Sequence, residues 1–177
     1  MRMRDATAWL FNSIFFLLIE PEVVHNRSAG VMHAAFDILV AEDNEDDVLL
    51  LGEAFRKAGV ASRLHVVADG AEAISYLKRE GTYSDASRFP FPDLMLLDLN
   101  MPRVNGFEVL EWLRQQPALG RLMVYVLTAS SREEDVRRAY DLRANGFVVK
   151  PSRVDELVAF VAALHNWHQI VCLPPKR

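Results

Sequence analysis

The sequence is poor in several features that would point to a specialised class of protein. It has one cysteine, Cys172, in 177 residues, which leaves no internal disulfide and no cysteine-based zinc site. No apolar run reaches the ~20 residues that a membrane-spanning helix requires. Basic residues do not predominate, because 20 Lys and Arg stand against 24 Asp and Glu, a formal net charge of −4. We therefore expect a cytoplasmic protein with no stable membrane insertion. We also expect no nucleic-acid partner, since such a protein would present a basic face.

Apolar residues make up 51% of the chain, which is enough for a substantial core and excludes a disordered protein. The length fits one domain, expected at 36–168, with an N-terminal extension at 1–35 and a tail at 169–177. The extension carries an apolar stretch at 9–19, and three interpretations of it stay open. It is a misassigned start, with Met32 the true first residue, a packed helical extension, or a targeting segment. The tail is too short for an output domain of even ~50 residues.

Five short apolar runs alternate with amphipathic stretches along the expected domain. This alternation indicates repeated strand–helix units and a mostly parallel sheet, and therefore a doubly wound α/β fold. The first helix is expected from Asp47 to Ala58, with Gly59 as its left-handed stop. Ser130 and Ser131 are the expected N-caps of the fourth helix. The apolar runs predict strands at 38–41, 64–67, 94–97, 123–127 and 147–149.

Polar side chains follow four of the predicted strands. Glu42 and Asp43 come after the first strand and Asp98 after the third, while Thr128 ends the fourth and Lys150 follows the fifth. Ligands of doubly wound sheets bind in the crevice beyond the carboxyl ends of the strands. Any one of these residues could be a helix cap, but their joint placement predicts a site at this edge of the sheet.

This combination of side chains suits phosphoryl chemistry. Grouped carboxylates repel one another unless a cation or a proton lies between them, and a small set of oxygen ligands favours Mg²⁺. An aspartate can itself accept a phosphoryl group as an acyl phosphate. A hydroxyl and a lysine nearby would hold the phosphoryl oxygens as charge shifts during transfer. The residues therefore predict a site at which an aspartate takes a phosphoryl group.

The motifs around these residues are also informative. Thirty residues separate Asp98 from Thr128, and 22 separate Thr128 from Lys150. The motifs that contain or flank these residues are Glu42-Asp43-Asn44, Asp98-Leu99-Asn100-Met101-Pro102, Asn105-Gly106, Leu127-Thr128-Ala129 and Val149-Lys150-Pro151. With these motifs and intervals, the chain resembles the response-regulator receiver domain of two-component signalling. The resemblance implies a flavodoxin-like (βα)5 fold with a five-stranded parallel sheet in the order 2-1-3-4-5.

The resemblance also implies a phosphoacceptor and a metal site. Asp98 would accept the phosphoryl group, and the cofactor would be Mg²⁺. Its ligands would be Asp43, Asp98 and the backbone carbonyl of Asn100, with Glu42 contacting the ion through water.

Further residues of the family pattern concern the switch. Thr128 would bind the phosphoryl group and Lys150 would pair with it. Phe147 stands at the position of the switch aromatic, three residues before the lysine, where many family members have tyrosine. Lacking the hydroxyl, Phe147 can change only its packing, and it could equally be an ordinary half-buried strand residue. By the same resemblance, the peptide bond between Lys150 and Pro151 is expected to be cis.

The function implied is that of a single-domain response regulator. It would receive a phosphoryl group from a sensor histidine kinase or a phosphotransfer protein and switch a protein-interaction surface. It would not be an enzyme beyond self-catalysed phosphotransfer and autodephosphorylation. The long loop at 80–92 and the C-terminal tail resemble stand-alone regulators that partner phytochrome-type kinases. Candidates for a homodimer or partner face, or for simple core, are Leu157, Phe160, Leu164 and Trp167.

Two other functions stay open. One is a docking module that works without phosphorylation. The other is a phosphohydrolase of the haloacid-dehalogenase type, which also uses an aspartate nucleophile, Mg²⁺, a hydroxyl and a lysine. Such an enzyme needs an acid two residues after its nucleophile, where this chain has Asn100.

Overall fold

Strands and helices alternate through residues 36–170, the part of the chain that the computed structural model describes. The predictions for 1–35 and for 171–177 concern residues outside this part. The strands are β1 (Phe36–Ala41), β2 (Ser62–Val67), β3 (Leu94–Leu97), β4 (Met123–Thr128) and β5 (Gly146–Val149). The helices are α1 (Glu45–Lys57), α2 (Gly70–Lys78), α3 (Gly106–Arg114), α4 (Glu133–Asp141) and α5 (Val154–Ile170), with a short 3₁₀ helix at Gly81–Ser84.

The five strands form one parallel sheet in the order β2-β1-β3-β4-β5, which confirms the expected fold. Register fixes which residues meet at its carboxyl edge. Ala41 of β1 pairs with Leu97 of β3, so Glu42 and Asp98 are the next residues on neighbouring strands. In the same way Thr128 pairs with Val149, and Lys150 follows directly.

The core lies on both faces of the sheet. Alternate residues of β3 point to opposite faces, which explains why this strand is apolar throughout. Met95 and Leu97 pack with residues of α2, α3 and α4, whereas Leu94 and Leu96 pack with residues of α1 and α5. Both faces are thus covered, and the carboxyl edge stays open to ligands. No helix between residues 36 and 170 has the length and apolarity needed to cross a bilayer.

Helix α1 begins two residues earlier than predicted. Asn44 is its N-cap, because its side-chain oxygen accepts hydrogen bonds from the backbone N–H groups of Asp46 and Asp47 at 2.9 and 3.3 Å. Gly59 follows the helix with φ +66°, as expected of a left-handed stop. The early cap brings Asp47 into the first helical turn.

The expected capping of the fourth helix by Ser130 or Ser131 is wrong. The N-cap residue of α4 is Arg132, which makes no side-chain capping hydrogen bond. The hydroxyl of Ser130 instead donates to the Asp135 carboxylate at 2.5 Å and accepts from the Arg132 N–H at 3.3 Å. Ser130 therefore joins the loop to the first turn of α4 through the Asp135 side chain, rather than capping the helix.

Candidate functional site

Three carboxylates meet at the carboxyl edge of the sheet, as predicted. Glu42 and Asp43 follow β1 and Asp98 follows β3, and an oxygen from each lies within 4.8 Å of the others. Glu42 and Asp98 are buried, whereas Asp43 is exposed. Hard oxygen donors at this spacing fit a divalent cation such as Mg²⁺, with Asp43 on the open side for exchange with solvent.

Lys150 lies against this group and supplies the opposite charge. Its Nζ is 2.7 Å from Glu42 Oε2 and 3.2 Å from Asp98 Oδ2. It is also 2.7 Å from Asp47 Oδ2, a contact that the sequence did not predict. Burial lowers the pKa of Lys150, but the hydrogen bonds to Asp47 and Glu42 and the charge of Asp98 outweigh it, so the pKa is raised overall. The site therefore favours the protonated, cationic form of Lys150.

For Glu42, the effect of burial on the pKa outweighs that of its hydrogen bonds. Its burial raises its pKa above the ordinary value, and the hydrogen bond and charge of Lys150 offset this only in part, while the nearby charge of Asp98 adds to the rise. The lysine alone thus does not fully compensate for the buried negative charge. A further cation at the carboxylates would relieve this repulsion.

The side chain of Asp98 is held by contacts to both of its oxygens. Oδ1 accepts a hydrogen bond from the backbone N–H of Leu99 at 2.7 Å, and Oδ2 faces Lys150. The backbone beneath it packs on Gly106, the first residue of α3, whose N–H donates to the Leu99 carbonyl at 3.1 Å. A Cβ at Gly106 would lie 2.2 Å from the carbonyl oxygen of Asp98. Glycine therefore permits the close approach of α3 to the backbone of Asp98.

The remaining predicted residues lie at the same edge or close to it. Thr128 is fully buried, and its hydroxyl accepts from the Ser130 N–H at 3.4 Å. Its carbonyl accepts from the backbone N–H of Lys150 at 2.7 Å, which joins the ends of β4 and β5. Asn100 is exposed in the loop after β3, and Phe147 is half-buried against the core on the α2–α4 face. The roles of these side chains in phosphoryl binding and switching stay predictions.

The expected cis bond before Pro151 is wrong, because no peptide bond between residues 36 and 170 is cis. An X–Pro bond prefers trans by about 0.5–1 kcal/mol unless its surroundings impose the other isomer. Here the backbone of Lys150 continues the ladder of β5 to Thr128, and the trans bond leads on into the loop before α5.

A cleft opens beside the carboxylates, between α1 and α5. Asp47, Asp98 and Lys150 line its polar end, and Leu50 and Leu157 are among its apolar lining. The cleft thus borders the buried Asp98 and the half-buried Lys150.

Of the four α5 residues considered for a partner face, two belong to the core. Leu157 and Leu164 are buried with residues of β1, β3 and α1, and Phe160 is partly buried against the same cluster. Trp167 is 56% exposed. The interpretation as core is thus confirmed for Leu157 and Leu164, and a partner face on α5 is restricted to its C-terminal end.

Asp47 is the site residue that the sequence missed. Helix N-termini commonly carry acidic residues, and the first turn of α1 has three, Glu45, Asp46 and Asp47. Only the rotation of the helix about its axis decides which of them faces Lys150. To predict Asp47 rather than Asp46 from the sequence, one would have needed to know that Asn44 is the N-cap.

The comparisons with known proteins agree with this geometry. The response regulator receiver domain model matches residues 38–162. Response regulator Rcp1 of Synechocystis is 36% identical over 138 residues, which span 77% of this chain and 92% of Rcp1. The structure of the phosphorylated cyanobacterial phytochrome response regulator RcpA has a TM-score of 0.73 and 37% identity, and the match covers 80% of this chain and all (100%) of that one. The Mn²⁺-bound form of Rcp1 has a TM-score of 0.70 and 35% identity, covering 79% of this chain and 99% of that one.

These matches decide against the dehalogenase-type phosphohydrolase, because they are extensive in sequence and in structure and point to one family of signalling proteins. The shared strand order and the acidic group at the carboxyl edge fit the same conclusion. The chain belongs to the response-regulator receiver-domain family of two-component signalling.

Proposed function

We propose that this chain is a stand-alone response regulator that accepts a phosphoryl group on Asp98 and signals through a protein-interaction surface. The observation that carries the proposal is the position of Lys150 Nζ, 3.2 Å from Asp98 Oδ2 beside a group of three carboxylates. This arrangement pairs a carboxylate nucleophile with a cation that can bind the incoming phosphoryl oxygens. It also supports phosphorylation-dependent signalling over a docking module that would need none of these contacts.

The carboxylates of Glu42, Asp43 and Asp98 are the proposed holders of Mg²⁺, together with the backbone carbonyl of Asn100 and with Glu42 acting through water. Receiver domains bind divalent metal, and a relative, Rcp1, has a Mn²⁺-bound form. The three-carboxylate donor set fits such an ion. When bound, Mg²⁺ would neutralise charge on the phosphoryl oxygens during transfer.

The transfer itself uses the side chains of this chain. A carboxylate oxygen of Asp98 attacks phosphorus, the bond from phosphorus to the donor histidine nitrogen breaks, and that nitrogen keeps the bonding electron pair. Lys150 donates hydrogen bonds to the phosphoryl oxygens, and the acidic groups that raise its pKa favour its protonated form. Attack of water on the acyl phosphate then returns Asp98 and phosphate. The chain's own chemistry is limited to this phosphotransfer and autodephosphorylation.

The switch that we propose follows from the charge gained at Asp98. A phosphoryl group adds negative charge and acceptor oxygens, which would draw the hydroxyl of Thr128 inward. Phe147, half-buried on β5, would then repack toward the space that Thr128 leaves. The surface of α4, β5 and α5 would change as a result, and partner proteins would recognise that change.

A phytochrome-type sensor histidine kinase is the proposed phosphoryl donor, with a phosphotransfer protein as the second candidate. The relative RcpA is a phytochrome response regulator, and it supports this choice. A cytoplasmic location is proposed because the chain has a single cysteine, as is usual for proteins of reducing compartments. The exposed Trp167 supports a homodimer through the end of α5.

Phosphotransfer from a labelled kinase tests this function. A phytochrome-type histidine kinase carrying radiolabelled phosphohistidine is mixed with the wild-type chain, D98N or D46N in the presence of Mg²⁺. We expect label to move to the wild type and to D46N, whose exposed carboxylate lies in the first turn of α1, and not to D98N. If the label reaches the wild type only from a phosphotransfer protein, that protein and not the kinase is the direct donor. Label that reaches D98N would contradict the assignment of the phosphoacceptor.

A further inference from the structure

Asp47 contacts Lys150 as Glu42 and Asp98 do, but it does not belong to the carboxylate group that could hold a metal ion. Its Oδ2 is 2.7 Å from Lys150 Nζ, as short as the Glu42 contact and shorter than the Asp98 contact at 3.2 Å. Yet Asp47 is not among the three carboxylates that lie close enough to hold one metal ion together. Lys150 thus binds two candidate metal ligands and one carboxylate outside the metal group.

This division matters because a lysine and a divalent cation compete for the same oxygens. Glu42 and Asp98 cannot accept full hydrogen bonds from Lys150 while their charge is taken up by a metal ion. An ammonium that loses both partners inside a site where only 16% of its side chain is exposed would be poorly compensated. Asp47, on α1 and 34% exposed, can keep its contact throughout.

We infer that Asp47 is a positioning residue that holds Lys150 when Glu42 and Asp98 turn to a divalent cation, and that it thereby sets the cation affinity of the site. The inference rests on the metal site of the proposed function. With Asp47 present, Lys150 can give up its hydrogen bonds to Glu42 and Asp98 at a small cost in free energy, because its hydrogen bond to Asp47 remains. Without it, Lys150 stays on Glu42 and Asp98 and opposes the metal ion.

The acidity of the first turn of α1 does not account for this contact. Acidic side chains there favour the helix N-terminus whichever way they point. Asp46 is the matched control, since its N–H, like that of Asp47, donates to Asn44 Oδ1, while its side chain is exposed. Asp46→Asn removes the same charge from the same turn and leaves Lys150 with all its partners.

Calorimetric titration of the metal-free protein with Mg²⁺ measures the effect. Asp47→Asn is expected to weaken Mg²⁺ binding by about three- to tenfold, since a charge-assisted hydrogen bond is lost in a partly buried site. Asp46→Asn is expected to change it by less than about twofold, as is typical of an exposed charge. Thermal unfolding of each variant checks that the fold is retained.

A second pair of variants separates the lysine from general electrostatics. In a Lys150→Gln background, adding Asp47→Asn should leave the Mg²⁺ affinity unchanged within about twofold, because no ammonium remains to be held. Equal weakening by Asp47→Asn and Asp46→Asn, or the full effect in the Lys150→Gln background, would overturn the inference. A wild-type chain that binds no Mg²⁺ would instead overturn the metal site of the proposed function.

Discussion

Gly106→Ala is expected to destabilise the domain by about 3 kcal/mol, at the upper end of what overpacking costs. The new Cβ would lie 2.2 Å from the Asp98 carbonyl oxygen and 2.8 Å from the Leu99 Cα, and both atoms belong to the backbone. No side-chain rotation can relieve these contacts, so α3 or the segment after β3 must shift. Because that segment carries Asp98, the proposed phosphoacceptor, phosphorylation of the folded fraction should fall as well. Chemical denaturation gives the free energy of unfolding, and acetyl phosphate gives the rate of phosphorylation.

The matched control is Gly52→Ala in the middle of α1. A Cβ at Gly52 would have nothing within 4 Å, and its φ is not in the left-handed region. Alanine there should stabilise the domain by about 0.5–1 kcal/mol, the ordinary gain over glycine within a helix. Equal stability changes for the two variants would show that the approach of α3 to Asp98 is not as close as described.

Lys150→Gln is expected to slow phosphorylation by acetyl phosphate about 100-fold or more, as removal of one preorganised donor to a developing oxyanion does elsewhere. The amide can donate a hydrogen bond but carries no charge to Asp98 or to the phosphoryl group. At the same time Mg²⁺ should bind more tightly, since Glu42 and Asp98 lose the ammonium that competes for them. A loss of rate with a gain in metal affinity would distinguish this role from simple unfolding of the site.

Arg153→Gln provides the control for Lys150→Gln. Arg153 precedes α5, its side chain is 69% exposed, and its guanidinium pairs with Asp155 at 2.7 Å. Its replacement removes one positive charge near the same end of the sheet without touching the carboxylates. We expect the phosphorylation rate to stay within about twofold of the wild type, since exposed ion pairs contribute little. A Lys150→Gln variant that reacts as fast as Arg153→Gln would exclude Lys150 from the transfer.

The main features of this site could be predicted because they depend on strand order and register. Parallel strands end at the same edge, so residues that directly follow β1, β3 and β5 must approach one another once the order is known. Glu42, Asp98 and Lys150 occupy those positions, and Ala41 pairing with Leu97 places the first two side by side. Short apolar runs were sufficient to locate the strands, because β3 is buried on both faces.

Features that depend on the rotation of a helix about its axis, or on which of several hydrogen bonds a side chain makes, could not be predicted in this way. Asp47 faces Lys150 because Asn44 sets where α1 begins, and a shift of one residue would turn another acid inward. Ser130 bonds to Asp135 instead of capping α4, since a serine hydroxyl near a helix start has several alternative hydrogen-bond partners. The sequence left Leu157 open between core and contact surface, and the packing of α5 on α1, a relation between distant segments, decides for the core.

The intact mass of the wild-type chain and of D98N, after incubation with Mg²⁺ and acetyl phosphate, tests the central claim most directly. The geometry at Lys150 and Asp98 predicts one hydroxylamine-labile phosphoryl adduct on the wild type and none on D98N. Phosphate release, followed in parallel, separates rapid hydrolysis from a failure to accept the group. An adduct that persists on D98N, or a wild type that binds Mg²⁺ yet neither gains the adduct nor releases phosphate, would contradict Asp98 as the phosphoacceptor.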